Sequence, residues 1–135
     1  MNAEEGGPAR QSRSGAPRDI EERTLEYGVR AVRLFRALQD SGDRAGWIVG
    51  KQFLRSATSV GANVAEARSG ESQKDFLHKL QIAQKEARES LYWLRLMKEA
   101  SLFPSAKLTP LLQETDEIIA VVTAIIRSTR RNAAS

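Results

Sequence analysis

The sequence predicts an all-α protein with the architecture of an up-down-up-down four-helix bundle. Apolar residues recur at three- and four-residue steps in four separate segments, which is the period of an amphipathic helix. The segments are joined by short stretches rich in Gly, Pro, Ser and Asp, and none shows the alternation typical of a strand. Because the connections are short, consecutive helices are expected to be antiparallel neighbours.

The composition is that of a single soluble domain. A chain of 135 residues can bury a core without covalent staples, and the absence of cysteine excludes disulfides and thiolate metal sites. The formal net charge of +4 permits an anionic partner without requiring one. Because there is no membrane-length apolar run and no secretory signal pattern, we expect a cytoplasmic protein with no membrane partner.

The bundle is predicted to occupy residues 19–131, between a disordered basic tail at 1–18 and a frayed C-terminus at 132–135. A solvated spacer is favoured over a nucleic-acid contact for the tail, because its charge is sparse. Asp19 is expected to cap a first helix of about residues 20–39. The apolar stripe of this helix is predicted to consist of Leu25, Val29, Val32, Phe35 and Leu38.

A second helix is predicted over about residues 46–68. Gly50 and Gly61 lie inside it, and each costs about 1 kcal/mol relative to alanine, so their presence indicates close packing against another helix. Gly70 suits the left-handed position after the helix end. Ser72 and Asp75 have the spacing of a capping box for the third helix.

The third helix, about residues 73–102, has one core stripe and a C-terminal third that is apolar almost all round. Two explanations are open for that end: deep burial by the other helices, or contact with another subunit. We favour the second because Tyr, Trp and Met are enriched at interfaces. The predicted oligomer interface consists of Tyr92, Trp93, Leu96 and Met97.

The fourth helix is predicted over about residues 110–130, with Thr109 as N-cap and Pro110 at the first helical position. Several arginines on the polar sides of the first and fourth helices are candidate nucleic-acid contacts. A solvated face is the favoured explanation for those of the first helix, and the helix dipole is sufficient to explain those of the fourth. These residues are Arg30, Arg33, Arg36, Arg127, Arg130 and Arg131.

Catalysis is not expected. The single histidine, His78, lies on a polar helix side, and the chain has no phosphate-binding glycine loop, nucleophile elbow or helical metal-ligand pair. Glu86 and Glu89 lie off the apolar stripe and are interpreted as solvated carboxylates. The sequence therefore predicts no cofactor, no metal site and no small-molecule substrate.

Three strings show a family resemblance: Arg55-Ser56-Ala57-Thr58-Ser59-Val60-Gly61-Ala62-Asn63-Val64-Ala65-Glu66, then Lys74-Asp75-Phe76, and Glu89-Ser90-Leu91-Tyr92-Trp93-Leu94. The chain resembles, over about residues 20–130, the bacterial four-helix-bundle proteins encoded by intervening sequences of large-subunit ribosomal RNA genes. Ala67 stands where many members have glycine. The resemblance implies a ring-shaped homo-oligomer, a homopentamer, without catalytic activity. The accessory proteins of diversity-generating retroelements look similar in fold, and they bind nucleic acid and a reverse transcriptase through a basic ring surface.

The polar residues of the first string have two interpretations. In one they form a ligand-facing or subunit-facing strip. In the other, which we favour, Arg55 and Glu66 pair with a neighbouring subunit while Ser59 and Asn63 satisfy backbone groups near the turn. The full set is Arg55, Ser56, Ser59, Asn63 and Glu66.

The function indicated is that of a non-enzymatic, homo-oligomeric four-helix-bundle protein, with RNA or single-stranded DNA as the candidate ligand of a basic surface. The alternative is a protein–protein adaptor or structural oligomer without a nucleic-acid role. No aromatic residue is expected to be interleaved with the basic residues as in a base-stacking platform, so little sequence specificity is expected.

Overall fold

The computed structural model describes residues 16–70 and 72–134, and these residues form four α-helices and no strand. The helices are α1 (Ala16–Ser41), α2 (Arg44–Arg68), α3 (Gln73–Glu99) and α4 (Ser105–Ala134). Each helix packs against the next along the chain, and α1 also packs against α4, in the smallest of the four contacts. The prediction of an all-α protein with four helices is confirmed for these residues.

Helices α1 and α2 run in opposite directions. Gly50 of α2 lies against Leu38 of α1, and Gly61 of α2 lies against Thr24 of α1. The residue numbers in contact therefore fall along α1 as they rise along α2.

The predicted close packing is also confirmed. A Cβ atom at Gly50 would lie 2.6 Å from Leu38 Cδ1, and one at Gly61 would lie 3.0 Å from the Thr24 carbonyl oxygen. At Gly61 the neighbouring atom belongs to the backbone, so a larger residue there would require α1 to shift.

The helix ends differ from the expectation at several points. Residues 1–15 of the predicted tail lie outside the described residues, whereas 16–18 belong to α1. Asp19 therefore lies in the first turn, where its charge suits the helix dipole, and is not the cap. At the other terminus, residues 132–134 continue α4.

The connections are short and capped by side chains. Gly42 has a φ of +77°, and the Asp43 carboxylate then accepts a hydrogen bond from Ala45 N at 3.1 Å to begin α2. Ser72 Oγ caps α3 by accepting from Asp75 N at 3.1 Å, as the capping-box spacing predicts. The prediction of a left-handed Gly70 is wrong, since no positive φ is found there.

Helix α3 ends in a Schellman motif. Leu102 N donates to Met97 O at 2.9 Å and Ser101 N donates to Lys98 O at 3.1 Å, so α3 ends at Glu99. Ser101 occupies the left-handed position of this motif with a φ of 56°, where glycine is the usual residue. The helix is therefore a turn shorter than predicted because backbone bonds close it early.

The predicted start of α4 is wrong. The helix begins at Ser105, and Pro110 lies inside it. Pro110 has no N–H to donate to the carbonyl of Ala106, so one internal bond is lost. The additional turn places Leu108 in the core, where its side chain is fully buried. Packing of this leucine accounts for a helix start that local capping rules did not favour.

The core runs along the inward faces of all four helices. On α1 its members are spaced by three, four or seven residues, but they are not the predicted stripe. Only Leu38 belongs to both sets, because Leu25, Val29, Val32 and Phe35 lie outside the buried row. The buried apolar residues of α1 are Ile20, Tyr27, Ala31, Leu34 and Leu38.

Candidate functional site

The strings that show the resemblance meet in space between α2 and α3. Arg55 of the first string forms an ion pair with Glu89 of the last, at 2.9 Å between Nη2 and Oε2. One residue further along each helix, Ser56 Oγ and Ser90 Oγ lie 2.8 Å apart. The polar residues that identify the chain therefore fix the register of two neighbouring helices.

Ser56 also belongs to a group of buried hydroxyls contributed by all four helices. Tyr27 OH of α1 lies 2.5 Å from Thr115 Oγ1 of α4, and Ser56 of α2 lies 2.8 Å from Ser90 of α3. Thr115, Ser90 and Ser56 are each fully buried. Burial raises the pKa of Tyr27 to about 12, against the opposing effect of hydrogen bonding. Two neutral, hydrogen-bonded pairs of this kind, one joining α1 to α4 and one joining α2 to α3, favour one arrangement of the helices.

The other residues of the polar set are also engaged within the subunit. Ser59 Oγ donates to the Arg55 carbonyl and Asn63 Nδ2 donates to the Ser59 carbonyl, both at 2.8 Å. These bonds satisfy backbone groups, as the favoured interpretation predicts, but they lie within α2 and not near its turn. Glu66 pairs with Lys79 of α3 at 2.6 Å. Within the subunit, Arg55 and Glu66 each form an ion pair with α3. Their pairing with a neighbouring subunit stays a prediction.

The two carboxylates interpreted as solvated are partly buried. Glu89 Oε2 accepts from Arg55 and, at 3.1 Å, from Trp93 Nε1. Glu86 Oε1 is buried and has no hydrogen-bond partner among the described residues. Glu89 thus orients the side chains of Arg55 and Trp93. In the register of α2 and α3 that the Arg55–Glu89 pair sets, Glu86 lies at the level of Ser59.

The four residues of the predicted oligomer interface differ in their burial. Tyr92 is exposed by 57%, whereas Trp93 and Leu96 are partly buried. Met97 is fully buried in the core of its own subunit, so it is unavailable to another chain. The apolar end of α3 is therefore covered largely by the other helices, the explanation that was not favoured, and Tyr92 is the only one of the four that is mostly exposed.

The main exposed apolar feature lies elsewhere, between α1 and α2. Leu25 is exposed by 68% and Val32 by 37%. Together with small residues of α2 they line a groove of about 750 Å³. We call this feature the α1–α2 groove. Its lining residues are Glu21, Glu22, Thr24, Leu25, Gly28, Val29, Val32, Thr58, Gly61, Ala62, Ala65 and Arg68.

Sequence reasoning missed the groove because it assigned its residues to the core. α1 has two apolar stripes, and Leu25, Val29 and Val32 were read as the inward one. The signal was present, since Tyr27, Ala31 and Leu34 form a second stripe with helical spacing. A helix with two apolar stripes has two faces to cover.

The arginines predicted as nucleic-acid contacts lie in two separate regions. The ion pair between Arg23 of α1 and Glu117 of α4, at 2.8 Å, marks one level along the bundle. Arg30 of α1 lies on one side of this level and Arg127 of α4 lies on the other. At about 1.5 Å per residue, roughly 25 Å along the bundle separates them. The remaining candidates lie still further from the contact on their helices and are exposed, namely Arg33, Arg36, Arg130 and Arg131.

Arg23 itself has a structural role in the smallest helix contact. Its guanidinium binds both carboxylate oxygens of Glu114, at 2.8 and 3.0 Å, as well as Glu117. The hydrogen bonds to Glu114 raise the pKa of Arg23 above its usual range despite partial burial. A bidentate pair of this geometry favours one alignment of α1 against α4.

Two kinds of feature are absent from the described residues, 16–70 and 72–134. These residues contain no group of three or more His, Cys, Asp or Glu side chains placed to hold a metal ion. None of their helices has an apolar stretch sufficient to cross a membrane.

The fold and the α2–α3 contact define a small four-helix protein whose characteristic polar residues hold its own helices in register. The chain belongs to the 23S rRNA-intervening sequence protein family, whose model matches residues 22–124. This confirms the family resemblance. A crystal structure of a protein of unknown function from the S23 ribosomal protein family of Bacteroides thetaiotaomicron is similar, with a TM-score of 0.78 and 34% identity, covering 83% of this chain and 98% of that one. No curated protein matches the chain.

Proposed function

We propose that the protein is a non-enzymatic homo-oligomer of up-down-up-down four-helix bundles whose assembled basic surface binds nucleic acid. The observation that supports assembly most strongly is the α1–α2 groove. Leu25 and Val32 project beside small residues such as Ala62, so the backbone of another helix can approach closely. An exposed apolar surface of this kind marks a contact site more often than a free surface. The family resemblance supports a ring of five copies.

The assembly is tested with a matched pair of substitutions. Leu25 and Tyr92 are both large, apolar and mostly exposed, at 68% and 57%, but they lie on different helices. We expect Leu25→Glu to shift the native mass to that of the monomer, because a charge would be buried in the interface. Tyr92→Glu should leave the mass unchanged. The opposite result would restore the predicted interface on α3, and a monomeric wild-type chain would refute assembly altogether.

Nucleic-acid binding is supported by the net charge of +4 and by exposed arginines such as Arg33 and Arg36. Repetition of a modest positive charge in an oligomer multiplies the phosphate contacts, and the affinity then falls steeply with salt. We expect single-stranded RNA or DNA to be retarded in a gel at about 50 mM salt and released at about 200 mM. Absence of retardation at the lower concentration would contradict this part of the proposal.

The non-enzymatic assignment is supported by how the polar residues are used. Arg55, Glu66 and Glu89 are the side chains best suited to acid–base or ionic chemistry in the resemblance strings, and all three are held in ion pairs between α2 and α3. An activity abolished by Glu66→Gln, in a variant with unchanged unfolding free energy, would contradict the assignment.

A protein–protein adaptor is the second candidate, and the same groove favours it. The α1–α2 groove is apolar and continuous along two helices, so it also suits the apolar face of a helix from another protein. The native mass separates the two functions. A monomer whose capture of a partner protein is lost in Leu25→Glu would establish the adaptor.

A further inference from the structure

The outward face of α3 carries a row of basic residues interrupted by one aromatic side chain. Lys85, Arg88, Tyr92 and Arg95 are all exposed and follow one another at steps of three, four and three residues. On a helix of about 100° per residue they lie within roughly 80° of one another, opposite the buried side of α3. We call these four residues the α3 basic row. The expectation that no aromatic residue is interleaved with the basic ones is therefore wrong for α3, where Tyr92 was predicted to belong to an oligomer interface.

The charges of the row are available. No hydrogen bond or ion pair to Lys85, Arg88 or Arg95 is formed within the described part of the chain. The acidic residue that could neutralise Lys85 one turn away is Glu89, but its carboxylate is turned to Arg55 on α2. An unpaired positive row of this kind attracts an anionic polymer without first having to break internal ion pairs.

Tyr92 is held in a defined position. Its ring meets the ring of Trp93 edge to face, with centroids 5.0 Å apart and an angle of 73° between the planes. Trp93 is in turn fixed by its hydrogen bond to Glu89. Tyr92 as a residue is nevertheless exposed by 57%, so it is not covered by the other helices. A fixed, exposed ring between positive charges is the arrangement used to stack an unpaired base.

We propose that the α3 basic row binds single-stranded nucleic acid, with an unpaired base stacked on Tyr92 and flanking phosphates bound by Arg88 and Arg95. The inference rests on the proposed nucleic-acid function and assigns its contact surface. Arg88 and Arg95 are separated by about 10 Å along the helix, enough for a short stretch of strand on either side of the ring. A duplex does not suit the site, because its bases are stacked on one another and offer no free face to Tyr92.

The α1 arginines are not part of this surface. Arg33 and Arg36 are equally exposed and carry the same charge, but the large exposed apolar side chain nearest them on α1, Val32, lines the α1–α2 groove. Their contribution to binding is therefore expected to be that of net charge alone. This makes Arg33→Gln/Arg36→Gln a matched control for Arg88→Gln/Arg95→Gln.

The test measures fluorescence anisotropy of labelled single strands of about 12 nucleotides, as RNA and as DNA, together with the corresponding duplex. The full-length chain is used at about 50 mM salt and over a salt series. We expect Arg88→Gln/Arg95→Gln to weaken single-strand binding at least ten-fold and to reduce the salt slope by about 1.4, the value for two phosphates on a single strand. The α1 double variant should weaken binding less than three-fold.

Tyr92 is tested separately from charge. Tyr92→Leu should weaken single-strand binding about ten-fold without changing the salt slope, while Tyr92→Phe, which keeps the ring, should bind like wild type. Equal affinity of wild type for duplex and single strand would overturn the stacking assignment. A change of native mass in Tyr92→Leu would place Tyr92 in a subunit interface and also overturn it.

The outcomes separate this inference from the proposed function. If wild type binds single strands while the α3 variants bind as well as wild type, the α3 assignment is wrong and nucleic-acid binding stands. If wild type binds no nucleic acid at about 50 mM salt, both are refuted. If only RNA binds, the 2′-hydroxyl contributes to recognition and the α3 assignment stands provided that the α3 variants lose that binding.

Discussion

Replacement of Gly61 by alanine tests the close approach of α1 and α2, on which the position of the groove depends. The new Cβ would lie 3.0 Å from the carbonyl oxygen of Thr24 and 3.2 Å from its carbonyl carbon. Both are backbone atoms, so no rotamer change can relieve the contact and α1 must shift as a whole. Overpacking of this kind costs about 1–3 kcal/mol, of which about 1 kcal/mol is recovered from the higher helix propensity of alanine. We expect a net loss of up to about 2 kcal/mol.

Gly28 offers a matched control on the facing helix. A Cβ there would meet only Thr58 Cγ2, at 4.0 Å, which is ordinary van der Waals distance. Gly28→Ala should therefore stabilise the protein by about 0.5–1 kcal/mol, because alanine loses less backbone entropy on folding. Both glycines line the α1–α2 groove, so a general effect on the groove would change both variants alike.

The assay is urea denaturation followed by far-ultraviolet circular dichroism, with all three proteins at one concentration and in one state of assembly. The informative quantity is the difference between the two variants, expected to be about 1–3 kcal/mol with Gly28→Ala the more stable. If Gly61→Ala gains as much stability as Gly28→Ala, the helices are not in backbone contact at Gly61. The explanation of why this helix contains glycine would then be refuted.

Three further substitutions have definite expected outcomes. Burial raises the pKa of Tyr27 to about 12 from 10, so the neutral phenol contributes its full stability below pH 10, and up to about 2–3 kcal/mol of unfolding free energy is lost between pH 10 and 12. The unfolding free energy of Tyr27→Phe, measured over the same alkaline range, should lack this loss. If the wild type and Tyr27→Phe depend on pH alike, Tyr27 is not buried. Ser101→Gly should gain about 1 kcal/mol in thermal unfolding by relieving the left-handed backbone, and a loss of stability would contradict that geometry. Pro110→Ala should raise the unfolding free energy measured in urea by about 1–3 kcal/mol, because the alanine N–H restores the hydrogen bond to Ala106 O. No gain would indicate that α4 starts after residue 109, as the sequence predicts.

The four helices could be predicted because each contains a strong apolar period, but the inward face of α1 could not. Leu25 and Tyr27 both lie on apolar stripes with helical spacing, and hydrophobicity alone ranks Leu25 at least as high. The difference is that the Tyr27 hydroxyl finds Thr115 across the bundle, 88 residues away in the chain. A buried tyrosine requires such a partner, and the partner becomes visible only when the register of α1 against α4 is known.

The polar set illustrates the same limit at the level of a site. The residue types and their spacing identified Arg55 and Ser56 correctly as a unit, because they recur in a recognisable string. Their partners within the subunit, Glu89 and Ser90, are 34 residues away and belong to a separate string. The structure shows that the two strings contact one another. These pairs could not be predicted because the register of α2 against α3 is not visible in the sequence.

The two proposed surfaces can be occupied together, since no residue of α3 lines the α1–α2 groove. If the surface that fills the groove of the neighbouring copy is not α3, the α3 basic row of every subunit stays exposed, and the number of rows that one strand contacts can be measured. The two phosphates assigned to each row correspond to a salt slope of about 1.4 on a single strand. A long strand that contacts several subunits should show a multiple of that slope, whereas a strand of about 12 nucleotides should show it once. If Leu25→Glu yields a monomer, the slope for the long strand should fall to the single-row value while the slope for the short strand stays the same.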